Sequence, residues 1–204
     1  MSDVKREKEN LRNKIWSLME KRGLGDFPFP LKGRIPNFKG SDLAAEKVRS
    51  LEVWKKAKVI FSNPDHAQRK VRENVLKDGK ILVMASPKLK HGFLIVKPEN
   101  VKGKEVFAST IKGAFQYGEK VDVKNMPKPD LIITGCVAVG RDGYRLGKGG
   151  GYGDKEIEII KKKFGEIPVI TTIHDIQFLD KVPVEEKDTK VDVVVTPTKI
   201  YFLK

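Results

Sequence analysis

Apolar positions along the chain follow two rhythms, helical at the start and strand-like later. Over residues 3–22, "DVKREKENLRNKIWSLMEKR", Leu11, Ile15, Leu18 and Met19 share one face, with Trp16 at its margin and charges elsewhere. That spacing predicts an amphipathic helix, with Asp3 as cap and Gly23 as stop. The glycines and prolines of "GLGDFPFPLKGRIPNFKGS" predict an irregular segment, and its phenylalanines predict that it is packed. A second helix fits Asp42 to Lys56, with Ser41 or Asp42 as cap.

From residue 58 onward, short apolar strands alternate with helices. "KVIFS" (58–62) precedes helical "PDHAQRKVRENVLKDG" and the strand "KILVMAS" (80–86). "GFLIVKP" and a less regular stretch lead to "PDLIITGCVAV" (129–139), the most apolar strand. A helix at 154–165, a strand at 168–174 and a final strand "VDVVVTPTKIYF" complete the pattern. Continuously apolar strands between helices predict a three-layer α/β/α sandwich around a mostly parallel sheet. Ligands are then expected outside the carboxyl ends of the strands.

Composition narrows this picture. The 204 residues suit one domain, 1–204, with helix 3–22 packed on it. A lone cysteine, Cys136, cannot form an internal disulfide, and no leader pattern or apolar run near 18 residues is seen. The expectation is a soluble cytoplasmic protein without a membrane segment. With 41 Lys and Arg against 27 Asp and Glu, the net charge of +14 attracts polyanions, whether nucleic acid, nucleotide or acidic metabolite. A surface simply dense in Lys and Glu accounts for the same figure.

The stretch "GRDGYRLGKGGGYGDKE" (140–156) carries the chemistry. A buried strand feeds it and a helix receives it, so free backbone N–H groups and the helix dipole favour an anion there. Gly147, Gly149, Gly150 and Gly151 permit close backbone approach, and Arg141, Arg145 and Lys148 supply cations. Asp154 is placed either to cap the helix or to hold Mg²⁺ against phosphates. The spacing matches neither a Walker A loop nor a GxGxxG fingerprint.

"GYRLGKGGGYGD" resembles the "GYRLGxGxGYYD" signature of the 5-formyltetrahydrofolate cyclo-ligase family. "KENLR", with Lys8 and Arg12, and "DTKVDVVVTPTKIYF" are similar to the family's opening and closing motifs. "RIPNFKGSDLAA" and "IHDIQFLDKVPVEEKDTKVDVVVTPT" look closest to the methenyltetrahydrofolate synthetase domain-containing branch. Some members of that branch carry an RNA-recognition domain, but no aromatic ribonucleoprotein-type motif occurs in these 204 residues.

The resemblance implies that ATP phosphorylates the formyl oxygen of 5-formyltetrahydrofolate, after which the neighbouring amine closes the ring to the 5,10-methenyl product. It implies Arg145 and Lys148 as catalytic cations. Lys8, Arg12, Gly147, Lys148, Gly149, Gly150, Gly151 and Tyr152 would bind the nucleotide. Tyr144 and Asp65 would bind the substrate, and Asp154 and Asp192 would hold Mg²⁺. Two departures stand out. Gly153 replaces the signature's second tyrosine, and the turn "NPDHAQ" offers Asp65 and His66 where the enzymes carry an acidic residue for the folate. A nucleotide- or RNA-binding protein on the same fold is the alternative.

Other residues read as structural. His174 and Asp175 are adjacent on an extended segment, so they point apart and suit a loop role better than a dyad. His91 sits in a basic turn. Cys136 and the two tryptophans suit core packing, and no Cys/His spacing suits zinc.

Overall fold

The computed structural model describes residues 1–203. In chain order the elements are α1 (Asp3–Lys21), α2 (Ser41–Arg49), α3 (Glu52–Lys56), β1 (Val59–Ser62), α4 (Arg69–Lys77), β2 (Ile81–Ala85) and β3 (Phe93–Val96). There follow α5 (Glu105–Ala108), α6 (Ile111–Tyr117), β4 (Glu119–Val121), β5 (Leu131–Thr134), β6 (Ala138–Gly140), β7 (Arg145–Leu146), α7 (Tyr152–Phe164), β8 (Val169–Thr172), β9 (Phe178–Leu179), β10 (Val193–Val195) and β11 (Ile200–Phe202). An eight-stranded sheet runs β11-β10-β8-β5-β1-β2-β3-β4, parallel from β10 to β2 and antiparallel at both margins. A smaller sheet, β7-β6-β9, stands beside it. None of the helices is long and apolar enough to cross a membrane among the described residues.

Because alternate strand residues face opposite ways, each strand feeds two cores. Ile60, Leu82, Leu131, Ile133 and Ile170 join Ile15, Trp16 and Met19 of α1 and Ala45, Val48, Val71 and Val75 of α2 and α4 on one face. Phe61, Val83, Ile132, Val169 and Val194 meet Ile157 and Ile160 of α7 on the other. The sheet therefore lies between two helical layers, as the apolar strands predict. The chain moves outward from β1 toward β2, then returns to build β5, β8 and β10 on the other side. The crevice at that reversal, above the carboxyl ends of β1 and β5, is where such folds hold ligands.

Local chemistry shifts several predicted boundaries. Ser2, not Asp3, caps α1, its Oγ accepting from the N–H of Lys5 at 3.3 Å. The second helix breaks at Ser50 and Leu51 into α2 and α3, and Gly40, at φ 89°, rather than Ser41 or Asp42, caps α2. The long apolar run 129–139 is two strands in two sheets. A Cβ at Gly135 would come within 2.5 Å of both Gln68 Oε1 and Ile35, so the chain leaves the main sheet where only glycine fits. Gln177 Nε2 then takes the carbonyls of Cys136 and Val137 at 3.1 and 3.2 Å, replacing the lost sheet bonds. The final run folds back on itself at Thr196–Lys199 as the β10–β11 hairpin.

Helix α4 fixes the turn that follows β1. Arg72, 1% exposed, donates to the carbonyls of Asn63, Asp65 and Ser109, each at 2.8 Å. Burial draws its pKa down to about 9, so it remains charged at neutral pH. One residue on, Glu73 is buried among Arg69, Lys70 and Lys77 at 3.0, 3.0 and 2.6 Å. Burial raises its carboxyl, but the hydrogen bonds from Lys77 and Lys70 outweigh that and bring it to about 2. A carboxyl lowered on folding contributes stability above its unfolded pKa and loses it as pH falls through the folded value. Glu73→Gln is expected to lower stability by roughly 1–2 kcal/mol at pH 7, allowing for solvent screening of the exposed lysines. In thermal melts the gap should close as pH falls from about 4.5 toward 2. A gap constant with pH would assign the loss to packing instead.

Candidate functional site

The crevice holds a cavity of about 550 Å³. Asn63, Pro64, Asp65 and His66 from the turn after β1 form one wall, and Arg145, Gly147, Lys148 and residues 150–154 form another, with Gly149 outside the lining. Arg34, Ile35, Pro87, Lys88 and Ile111 close the remaining side. Gly151, at φ 75°, caps α7 in a conformation that glycine adopts without strain. The N–H groups of residues 147–151 meet no backbone acceptor among the described residues, so the loop leading into α7 presents free donors beside the positive end of the helix dipole.

Arg145 is the structural centre of the site. Only 3% exposed, it donates from Nη1 to Asp154 Oδ1 and from Nη2 to the carbonyl of Gly135, both at 2.8 Å. Its Nε is buried without a partner. Asp154 Oδ1 also accepts from the N–H and hydroxyl of Thr189, at 3.1 and 2.6 Å. Burial disfavours the guanidinium's charge, but Asp154 more than compensates, so its pKa is raised. The guanidinium lies directly against Gly153, where an added Cβ would sit 2.7 Å from Nη2. The tyrosine of the family signature is absent at the one place where this arginine needs the room.

The structure brings Arg145, Lys148, Gly147, Gly150, Gly151, Tyr152, Asp154 and Asp65 to one cavity. Lys148 Nζ reaches across to Asp65 Oδ1 at 3.2 Å, and Asn63 Nδ2 holds Asp65 Oδ2 at 2.8 Å. Arg12 Nε binds the carbonyl of Gly147 at 2.7 Å and its guanidinium lies 3.7 Å from where a Gly149 Cβ would be, bracing the loop from behind. Lys8 does not line the cavity. It is buried in an ion pair with Glu185 and Asp188 at 3.0 and 2.6 Å. Tyr144 is also outside the lining, its ring 4.5 Å from Lys190 Nζ. Asp192 accepts from the N–H of Val169 at 2.9 Å, at the amino ends of β8 and β10 and away from the cavity. Among the described residues, no three His, Cys, Asp or Glu side chains gather as a metal site. Asp154 Oδ2 therefore leaves one carboxylate oxygen for Mg²⁺, which suits an ion whose other ligands are phosphates and water.

Remaining candidates sit as structural groups. His174 Nδ1 accepts from the N–H of Ile176 at 3.1 Å, while Asp175 accepts from the hydroxyls of Thr196 and Thr198. Trp16 and Trp54 are buried with Nε1 donating to Arg34 and Asp78. Cys136 is buried, which raises its thiol.

Sequence reasoning passes over Glu156. It is 4% exposed on α7, lines the cavity, and carries no hydrogen bond or ion pair among the described residues. Burial and Asp65 push its carboxyl up to about 8, against the pull of Arg145 and Lys148. A carboxyl raised on folding contributes stability below its unfolded pKa and loses it as pH rises through the folded value. Glu156→Gln is therefore expected to melt near wild type at pH 4.5 and progressively above it as pH approaches 8. By pH 9 the difference should reach a few kcal/mol, on the order set by the shift. Calorimetric melts across that range test this, and a pH-independent difference would contradict it.

Known proteins are similar to this chain in sequence and in fold. The chain is 37% identical over 202 residues to the methenyltetrahydrofolate synthase domain-containing protein of Bos taurus, covering 95% of this chain and 53% of the relative. It thus spans about half the length of the curated relatives it matches. Over 80 residues, 39% of this chain and 43% of the relative, it is 36% identical to the 5-formyltetrahydrofolate cyclo-ligase of Escherichia coli strain K12. In fold it is similar to the solved 5,10-methenyltetrahydrofolate synthetase of Aquifex aeolicus, with a TM-score of 0.63, 22% identity, and 97% and 93% of the two chains covered. With residues 4–197 matching the family as a whole, the chain belongs to the 5-formyltetrahydrofolate cyclo-ligase family.

Proposed function

We propose that this protein closes 5-formyltetrahydrofolate to 5,10-methenyltetrahydrofolate at the expense of ATP, with Mg²⁺. The observation that carries the reading is the cavity at the sheet reversal, where a rim of free N–H groups and Lys148 faces a floor containing Arg145, Asn63 and Glu156. A small-molecule cavity of about 550 Å³ in this family supports a reaction between a nucleotide and a compact substrate.

Bound ATP would supply the phosphoryl group that turns the formyl oxygen into a leaving group. The chain's own part is positioning and charge neutralisation. The loop N–H groups and Lys148 hold phosphate oxygens, Arg12 keeps the loop in place, and Asp154 Oδ2 offers a ligand for the metal. Arg145, fixed on both Nη groups, keeps its Nε for the transferring group. Asp65 faces the substrate from the opposite wall once Lys148 moves to phosphate. The net charge of +14 supports a second reading, nucleic-acid binding on the outer surface.

Methenyl product formed from 5-formyltetrahydrofolate, ATP and Mg²⁺ is expected as a rise in absorbance, and Arg145→Ala should lower the rate at least about a hundredfold. Lys148→Ala guards against a folding artefact. Its ion pair with Asp65 is half-exposed and worth under about 1 kcal/mol, so Tm should hold while ATP affinity falls about tenfold. Intact ATP binding without turnover would defeat the ligase reading. Nucleic-acid affinity that falls steeply with salt would support the second, and a flat response would remove it.

A further inference from the structure

The floor of the cavity is rich in acceptors that nothing in the protein satisfies. Glu156 is buried without a hydrogen bond, and Asn63 Oδ1, also buried, has no partner. Both line the cavity. A carboxyl with no partner in the protein is left facing the cavity, where a ligand carrying donors can meet it. A bare cation is a poor fit, because Arg145, Lys148, Arg34 and Lys88 line the same space. The walls around these acceptors are Pro28, Ile35, Pro64, Pro87 and Ile111, which suit the faces of a flat ring.

We infer that Glu156 is a ligand-binding residue, its two carboxylate oxygens accepting from a ring N–H and the adjacent exocyclic amino group of an aminopyrimidine edge. Two neighbouring donors match two carboxylate oxygens side by side, and the pair is charge-assisted. Asn63 Oδ1 accepts from a further N–H of the ring. The family signature does not mark this position, and Asp65 alone is tied up by Lys148 and Asn63. The inference rests on the proposed reaction only for the identity of the ligand, not for its edge.

The test is calorimetric titration of wild type and Glu156→Gln with 5-formyltetrahydrofolate, guanosine and adenosine. Guanosine carries the same paired donors without a phosphate, and adenosine lacks them. Wild type should bind the first two and ignore adenosine. Glu156→Gln should weaken both at least tenfold. Equal folate affinity in the two proteins would overturn the inference and leave the proposed reaction standing. Glu156-dependent guanosine binding without folate binding would uphold the inference and overturn the reaction. Binding of neither would overturn both.

Discussion

A charged guanidinium buried inside a protein needs partners, and here the partners of its two Nη groups organise the site. Arg145 draws Asp154 at the start of α7 and the carbonyl of Gly135 at the end of β5, while Thr189 secures Asp154 from the loop that leads to β10. Separate segments are thus set against one charge that cannot be abandoned without leaving a bare ion in low dielectric. The glycine loop has Arg145 at its base and Arg12 behind it, which is how a stretch so poor in side chains holds one shape. Entropy argues against order in such a loop, and charge overrides it.

The cavity that results is electrically divided. Its rim offers N–H groups, a helix dipole and Lys148, whereas its depth offers Glu156 and Asn63. Before a ligand enters, Lys148 and Asp65 join the two walls. A ligand with an anionic end and a donor-rich end fits that division in one orientation only. Preorganisation of this kind is what phosphoryl transfer asks of a protein, because most of the chemistry lies in the reactants.

Much of this was legible in the sequence. Continuous apolar runs between helices report a parallel sheet buried on both faces, and the glycine-rich basic loop after the most apolar run does line the cavity. The break at Gly135 is hidden because both halves of the run are equally apolar, and only the nearness of Gln68 and Ile35 reveals why the strand stops. Lys8 is hidden differently. Its partners Glu185 and Asp188 lie in a distant turn, so a helix face suited to phosphate is filled from within. Glu156 did leave a trace. It stands one residue before Ile157 and four before Ile160, on the buried stripe of α7, where a carboxylate has no ordinary reason to be.

Gly153 carries a consequence for how this loop can change over generations. The Arg145 guanidinium occupies the volume that any side chain at 153 would claim. A tyrosine there and this path of the arginine exclude one another. Gly153→Tyr would therefore force the guanidinium away from its places on Asp154 and Gly135. The family signature keeps an arginine at the matching position beside its tyrosine, so the aromatic loop needs another path for the same side chain.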